Sequence, residues 1–534
     1  MPRPALVTVT SLAAGLVALL AGARAHATTY QVGPTRTHKQ LSAVAPLLAP
    51  GDRVEVDGGA TYTGGVVFDR PGTAAQPITI VGVPAAGKRP VVSGGTNTIE
   101  ARGGHYVFEQ LDLTAGSFRC FFHHADDVTL RDSVVHDCPA HGILGADSDA
   151  GSFLLQRTEV HHCGAGTQEH QIYMSSDEVK FPGAVFRMEA SFVHDGQGGN
   201  NVKSRAARNE LYGNWIEGAT YHEIELIGSE TSPEAAVRED SDVVGNVLVK
   251  RNAFFVARFG GDGTGQTNGR YRFVNNTVVT MGGSAVFRLM DGIDTLEVHN
   301  SVFAARTGAV ALVDESAARW VSGASTIAGA KNWIQTGATK VPAALVGTVS
   351  GASTTLFVDL AGNDLRPKQG SPLVDAGGTT FTGPAGKAFP NPLALPNVHP
   401  PGHVAPAATT EGRMSVGSVD LGAFELGGAT AAPPSSPGAP SNPAPPNDPA
   451  GDPTSPAPSG GGEDGATGAS GTAAGDGEDG VRERPLTMEG ASCATSPRSC
   501  PTPGAGAAAC VLAALAAFFR RRQARSFLAA RSTP

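Results

Sequence analysis

The sequence has few aromatic residues, few cysteines and no excess of positive charge. Phe, Tyr and Trp together make up 6% of the 534 residues, so any sugar-binding platform of stacked rings must be small. The formal net charge of −9 argues against a general nucleic-acid or anionic-membrane binder, because such proteins need a dominant basic face. A local basic patch that binds an acidic glycan is still compatible with this charge.

Glycine and proline are abundant, with 69 and 38 copies, which is too many for one compact domain of this length. At 428–490, Pro, Gly, Ala, Ser and Asp replace almost all large apolar residues. Such a segment cannot bury enough surface to offset the entropy that it would lose on ordering. The sequence therefore predicts a disordered, extended linker at 428–490.

The first 27 residues have the three parts of a secretory signal peptide. Arg3 provides the positive start, 5–21 the apolar core, and Ala25 and Ala27 the small residues of a cleavage site. A membrane anchor is the alternative, but the apolar run is short for a spanning helix. We therefore predict that the protein is secreted or associated with the cell surface or outer membrane.

Residues 491–534 form a second distinct segment, with three cysteines, an apolar stretch at 505–519 and three arginines at 520–522. This tail resembles the C-terminal sorting signals of myxobacterial surface proteins. The resemblance implies that the tail is processed and the protein displayed or released. An ordinary tail anchor is the alternative. Under either interpretation, membrane contact is confined to this tail.

A short phrase recurs through the middle of the chain at intervals of 23 to 33 residues. It is found at 132–135, 157–160, 190–193, 213–216, 245–248, 275–278 and 299–302. Regular self-similarity of this period indicates a solenoid, whose units bury their apolar faces on their neighbours. Because each unit alternates like a strand and lacks a helical stripe, the sequence predicts an all-β, right-handed parallel β-helix at 28–427.

Two phrases near the start, 51–64 and 77–82, and closing motifs at 363–366, 370–377 and 419–425 support this interpretation. In these motifs the chain resembles the right-handed β-helix proteins of the pectate-lyase-like superfamily, which bacteria secrete or display. Cys120, Cys138 and Cys163 lie in the early coils. Either one pair among them bridges adjacent coils, or all three are buried thiols.

Equivalent residues of successive coils stack about 4.8 Å apart, so aligned strands predict which side chains share a surface. Four aligned segments, 141–144, 170–173, 200–203 and 222–225, have an aliphatic residue at the third position, which should point inward. The second and fourth positions should then point outward. These are Gln171, Asn201 and Glu223, and Tyr173, Lys203 and Glu225. Arg205 should lie on the same side, and Phe255 and Phe287 should occupy equivalent positions in later coils, which makes the polar patch local.

We interpret this patch as a polysaccharide-binding site, and its residue types suit the cleavage of a uronate polymer by β-elimination. Lys203 could take the proton if its pKa were lowered, and Arg205 could neutralise the carboxylate. Tyr173 or His170 could donate a proton to the leaving oxygen. Alternatively, Asn201, Glu223 and Glu225 could hold Ca²⁺, which prefers oxygen ligands; no cofactor is otherwise indicated.

The run 201–204, followed by Asn209, Tyr212 and Asn214, is similar to a segment of the alginate and chondroitin B lyase family. The resemblance implies that Lys203 is the catalytic base. The chain departs from that family because Gly196 and Gly198 occupy the positions where the family has acidic calcium ligands. It also has Glu225 where the family has a catalytic Arg.

Structural interpretations compete with each of these roles. Lys203 and Glu225 could form an ion pair between coils on a solvated face. His141, His170, Asn200 and His222 could form a hydrogen-bonded column. The sequence thus supports three functions: a polysaccharide lyase, a non-catalytic carbohydrate-binding or adhesion protein, and a structural surface protein.

Overall fold

Three long parallel β-sheets, which we name A, B and C, wind around one apolar core. The computed structural model describes residues 27–228, 240–261, 267–290, 292–315, 320, 322–389, 391–407 and 409–427. The predicted signal peptide (except Ala27), linker and C-terminal tail lie outside these ranges. Within them, no helix is both long and apolar enough to cross a bilayer.

From Arg53 to Glu315, each coil contributes its strands in the order A, B, C. Sheet A contains Thr29–Val32, Arg53–Asp57, Ile78–Val83, Tyr106–Glu109, Val128–Arg131, Phe153–Gln156, Val185–Glu189, Arg208–Tyr212, Asp240–Val244, Gly269–Val274, Ile293–His299, Thr326–Ala330 and Leu345–Val346. Sheet B contains Thr61–Thr63, Val91–Ser93, Asp112–Thr114, Val134–His136, Glu159–His161, Phe192–His194, Trp215–Glu217, Val247–Val249, Thr277–Thr280, Val302–Ala305, Trp333–Gln335 and Val349–Gly351. Sheet C contains Val66–Phe68, Asn97–Ala101, Arg119–His123, His141–Gly145, Ile172–Ser175, Val202–Arg205, Ile224–Leu226, Ala257–Phe259, Ala285–Leu289 and Ala311–Glu315.

The predicted right-handed parallel β-helix is confirmed by this topology. Short 3₁₀ helices, Leu41–Ala43 and Ala45–Leu47, lie near its N-terminal end, and a third covers Ser353–Thr355. An antiparallel pair, Phe357–Asp359 and Asp364–Pro367, follows the last coils.

The inward columns are formed by the aliphatic residues that the alternation predicts. Ile143 pairs with Ile172, Ile172 with Val202, and Val202 with Ile224, and all four side chains are fully buried. Burying one such side chain contributes about 1.5–3 kcal/mol. Since every coil repeats this burial, the stack of coils is held together along its whole length.

The recurring phrase is the turn between sheets A and B. Its first residue has a positive φ in six of the seven occurrences, as at Asp132 (52°) and Gly245 (69°), and at 299–302 the positive φ falls on the second residue, Asn300 (48°). Its second residue forms a buried polar ladder, in which Asn214 N–H donates to Asn246 Oδ1 at 2.9 Å and Asn246 N–H to Asn276 Oδ1 at 2.8 Å. These side chains satisfy backbone amides that the turn would otherwise leave unpaired. The phrase therefore encodes the bend between two sheets.

Of the two arrangements considered for the cysteines of the early coils, the structure has the disulfide. Cys120 and Cys138 form a disulfide between adjacent coils, with their Cα atoms 6.0 Å apart. Cys163 is a free, buried thiol, and burial raises its pKa to about 12. An inert thiol of this kind fits a role in packing.

The C-terminal residues 377–389, 391–407 and 409–427 contribute side chains that pack on the outside of sheets A and B. The ring of Phe389 lies 3.6 Å from the guanidinium carbon of Arg272 in sheet A. Leu393 and Leu395 pack against Val244 and neighbouring residues of the same sheet. The segment therefore covers part of the outer surface of sheet A.

Candidate functional site

The outer surface of sheet C has one row of side chains along the solenoid axis. Strand register places these residues in line: Glu100, Phe122, Leu144, Tyr173, Lys203, Glu225, Arg258, Arg288 and Asp314. We call this the sheet C row. As predicted, the structure brings Tyr173, Lys203 and Glu225 side by side.

The prediction that this polar patch is local, with Phe255 and Phe287 at the equivalent later positions, is wrong. Arg258 pairs with Glu225, and Arg288 pairs with Arg258. Phe287 is instead fully buried, and Phe255 precedes the strand Ala257–Phe259. A shift of one residue exchanges the inner and outer faces of a strand. The prediction aligned the later strands in the wrong register, so it placed phenylalanines in the row where the structure has Arg258 and Arg288.

Lys203 lies between Tyr173 and Glu225 in this row. Its Nζ is 4.8 Å from the centroid of the Tyr173 ring and 3.8 Å from Glu225 Oε2. The Lys203 side chain is 12% exposed, so it is largely buried but not fully covered. The contacts on both sides fix its position on the sheet.

Glu225 has three polar partners, which are Asn200, Arg258 and Lys203. Asn200 Nδ2 donates to Glu225 Oε2 at 2.6 Å, and the Arg258 guanidinium donates to Oε1 at 2.9 Å. Burial alone would raise the pKa of Glu225, but the charges of Lys203 and Arg258 lower it to about 2. This carboxylate therefore stays ionised beside Lys203, which works against a base role for the lysine.

Arg205 reaches the same surface but is fully buried. Its Nε donates to the Tyr173 hydroxyl at 2.9 Å, and its terminal nitrogen donates to the carbonyl of Gly228 at 2.7 Å. The predicted clamp on a substrate carboxylate needs an accessible guanidinium, so the observed burial contradicts that placement. Arg205 instead holds the phenol of Tyr173.

The prediction that Gln171, Asn201 and Glu223 point outward is also wrong, because all three are fully buried. Gln171 Nε2 donates to Asn201 Oδ1 at 2.8 Å, and Asn201 Nδ2 donates to Glu223 Oε2 at 2.6 Å. The column ends on the buried ammonium of Lys250, 3.3 Å from Glu223 Oε1. These positions precede the first strand residues Ile172, Val202 and Ile224, and lie in the bend where strand alternation no longer applies.

The proposed calcium ligands do not fit a Ca²⁺ site. Glu223 is engaged by Lys250 and by the amide of Ala219, whereas Glu225 lies in the row outside the sheet. In the described parts of the chain, no three His, Cys, Asp or Glu side chains are arranged to hold a metal ion. Asn201, Glu223 and Glu225 therefore do not offer Ca²⁺ a converging set of oxygens.

His141, His170, Asn200 and His222 form a hydrogen-bonded column at the start of the sheet C strands. His141 Nδ1 accepts from the amide of His170 at 3.1 Å, and His170 Nδ1 accepts from the amide of Asn200 at 2.9 Å. Burial lowers the pKa of His141 to about 4, that of His222 to about 3, and that of His170 well below its ordinary value. The predicted acid, His170, has a buried Nε2 with no hydrogen-bond partner among the residues that the structure describes, so its proton is not presented to a substrate at the surface.

No protein-family model and no curated protein sequence matches this chain. Among solved structures, pectate lyase Pel9A is similar over 74% of this chain and 96% of its own, with 12% identity and a TM-score of 0.48. The PL6 family polysaccharide lyase Pedsa3628 from Pseudopedobacter saltans covers 66% and 99%, with 11% identity and a TM-score of 0.40. The PL6 family alginate lyase AlyGC covers 65% and 58%, with 15% identity and a TM-score of 0.38. At these identities the likeness concerns the fold alone.

Sequence reasoning missed the cations Arg119, Arg258 and Arg288. The last two lie in the triplets 257–259 and 287–289, in which an Arg stands between two apolar residues. This is the strand alternation of a half-buried sheet, and it is the sequence pattern that indicates outward-facing arginines. The variable length of the preceding turns concealed which residue would align with Glu225.

Proposed function

We propose that the outer surface of sheet C binds an acidic, uronate-containing polysaccharide. The observation that supports this most directly is the charge of the sheet C row. Lys203, Arg258 and Arg288 occupy three of four successive coils, and the only carboxylate among them, Glu225, is already paired. The four-coil stretch from Lys203 to Arg288 is therefore locally cationic in a chain whose formal net charge is −9, and the other carboxylates of the row, Glu100 and Asp314, lie outside this stretch.

The spacing of these cations suits a repeating anion. Neighbouring coils place them about 4.8 Å apart along the axis, and guanidinium groups bind carboxylates through paired hydrogen bonds. Tyr173, half-buried next to Lys203, adds an aromatic edge against which a sugar ring can pack. A linear polymer with carboxylates at regular intervals can contact several of these side chains at once.

Binding of purified protein to alginate, polygalacturonate and chondroitin sulfate, with dextran as the neutral control, tests the proposal. We expect acidic polymers to bind, dextran not to bind, and the affinity to fall as salt is added. The double variant R258Q/R288Q should weaken binding to the acidic polymers. Equal binding to dextran, or no binding to any acidic polymer, would overturn the proposal.

Cleavage by β-elimination is a second candidate, favoured by the adjacent Lys203 ammonium and Tyr173 phenol in the row. A lyase would release unsaturated products that absorb ultraviolet light. We expect K203A to abolish this release, while glycan binding is weakened but still measurable because Arg258 and Arg288 are kept. If the wild-type protein releases no such product from any of the three acidic polymers, the surface binds without cleaving.

The proposed location is outside the cell, because residues 1–27 match a secretory signal. Fractionation of cells that produce the full chain tests this. Protein found in the medium or on the cell surface supports the location, whereas protein confined to the cytoplasm contradicts it.

A further inference from the structure

Exposed aromatic rings and arginines meet at two places on the outer surface of sheet C. At the first, the guanidinium of Arg119 lies 4.0 Å from the ring centroid of Phe118 and 4.0 Å from that of Phe122. Phe118 is 38% exposed. We call these three residues the first aromatic cluster.

The second aromatic cluster consists of Tyr221, Phe254, Phe255 and Arg288. The ring of Phe254 lies 5.4 Å from that of Tyr221 and 5.5 Å from that of Phe255. The guanidinium of Arg288 lies 5.1 Å from the Phe255 ring. All four side chains are partly exposed, unlike the ring-bearing side chains of the core.

Strand register fixes the separation of the two clusters. Arg119 pairs with His141, and successive pairs then lead through the strands of Ile172, Val202 and Ile224 to the strand that follows Phe255. Five steps between coils at about 4.8 Å each place the clusters roughly 24 Å apart along the axis. The cations Lys203 and Arg258 lie between them.

Partly exposed aromatic rings next to arginines are uncommon in this chain, which has few aromatic residues. Most large rings fill the core, where Phe108, Phe121 and Phe153 are fully buried. Rings that remain partly exposed beside a guanidinium offer flat apolar faces next to a positive charge. Sugar rings with carboxylate substituents match both features, because their C–H faces pack on aromatic rings and their charge is neutralised nearby.

We infer that the two aromatic clusters are the ends of one extended binding site, which selects a linear acidic glycan of several sugar units lying along the solenoid axis. Rings of the glycan stack on Phe118 and Phe254, and its carboxylates contact Lys203 and Arg258 between them. This inference rests on the proposed function, since it assigns length and orientation to the ligand of the same surface. A disaccharide cannot span the two clusters and binds at most one of them.

A length series of uronate oligosaccharides, from the disaccharide to chains long enough to span both clusters, tests the inference by calorimetric titration. We expect affinity to rise until both clusters are spanned. F118A and F254A should each weaken the longest oligosaccharide about tenfold and flatten the length series. F254L keeps apolar bulk against His222 without the aromatic face, so it separates stacking from folding. M414A truncates an exposed apolar residue of the C-terminal segment and should leave binding unchanged.

The outcomes separate the two proposals. If long oligosaccharides bind and K203A or R258Q weakens them, but F118A and F254A do not, the extended site is overturned and the acidic-glycan surface stands. Equal affinity for the disaccharide and the longest chain also overturns the extended site alone. If no acidic oligosaccharide binds at any length, both proposals are overturned together.

Discussion

The outer surfaces of sheets A and C both contain arginines and carboxylates, but in different arrangements. On sheet A, Arg208, Arg270 and Arg272 face Glu210, Asp240 and Asp242, and each guanidinium lies within 2.9 Å of a carboxylate oxygen. The ring of Phe389 covers Arg272. This surface is neutralised by its own carboxylates and partly covered by the chain itself.

From Lys203 to Arg288, the sheet C row has three cations and one carboxylate, and the aromatic clusters on the same sheet are partly exposed. Both surfaces contain arginines in register on successive coils, and the exposed fractions of Lys203 (12%) and Arg258 (13%) are close to that of Arg270 (11%). The two surfaces therefore differ chiefly in the ratio of cations to carboxylates. Balanced charges serve the fold, whereas an excess of cations favours a ligand of opposite sign.

The largest effect should follow from D242A on sheet A. Asp242 is fully buried and accepts from Arg208 at 2.6 Å and from Arg272 at 2.6 Å. Its loss leaves two poorly exposed guanidinium groups without this partner, which should lower the free energy of unfolding by about 3–5 kcal/mol. Urea denaturation measures this change. D149N, which removes the charge of an exposed partner of Lys180 and keeps a side chain suited to the positive φ of 61° at this position, is the control and should change stability by less than about 1 kcal/mol; similar losses in the two variants would contradict the prediction.

E225Q on sheet C should lower stability and strengthen glycan binding together. The pKa of Glu225 is lowered from 4.5 to about 2 in the folded protein, so its ionised form stabilises the fold above about pH 4.5 and this contribution is lost as the pH falls towards 2. A shift of this size corresponds to about 3 kcal/mol at neutral pH. Removing the charge also leaves the cations of the row free to bind anions.

Denaturation of E225Q and of the wild-type protein at pH 7 and near pH 3 checks the first part. The stability difference should be largest at pH 7 and should shrink at the acidic pH. Titration with polygalacturonate at pH 7 checks the second part. Weaker binding by E225Q would mean that Glu225 helps to form the site and does not merely compete with the ligand.

The fold could be predicted because the inward column imposes a strict pattern. Ile143, Ile172, Val202 and Ile224 are aliphatic at equal positions, and only stacked coils bury all of them. The phrase before sheet B was equally informative, since a left-handed backbone residue followed by a small polar residue is what the bend requires. Both signals are local in the sequence and repeat in every coil.

The site could be predicted only in part, because its geometry depends on coils of unequal length. Lys203 and Glu225 are 22 residues apart, whereas Glu225 and Arg258 are 33 apart, so no fixed interval places Arg258 in the row. Gln171 and Asn201 were misplaced because strand alternation was extended into a bend. The burial of Arg205 results from tertiary contacts that no spacing reveals.

The smallest effects should come from a pair of matched substitutions, R288Q on sheet C and R270Q on sheet A. Arg288 stacks on Phe255 and makes no ion pair with any residue that the structure describes, so R288Q should change stability by less than about 0.5 kcal/mol. It should weaken polygalacturonate binding about fivefold, which corresponds to about 1 kcal/mol. Arg270 pairs with Asp240 at 2.7 Å and is 11% exposed, so R270Q should lower stability by about 1–3 kcal/mol and leave binding unchanged. Titration and urea denaturation of both variants test this contrast: if R270Q weakens binding as much as R288Q does, position on the sheet does not matter, and long-range charge alone accounts for any affinity.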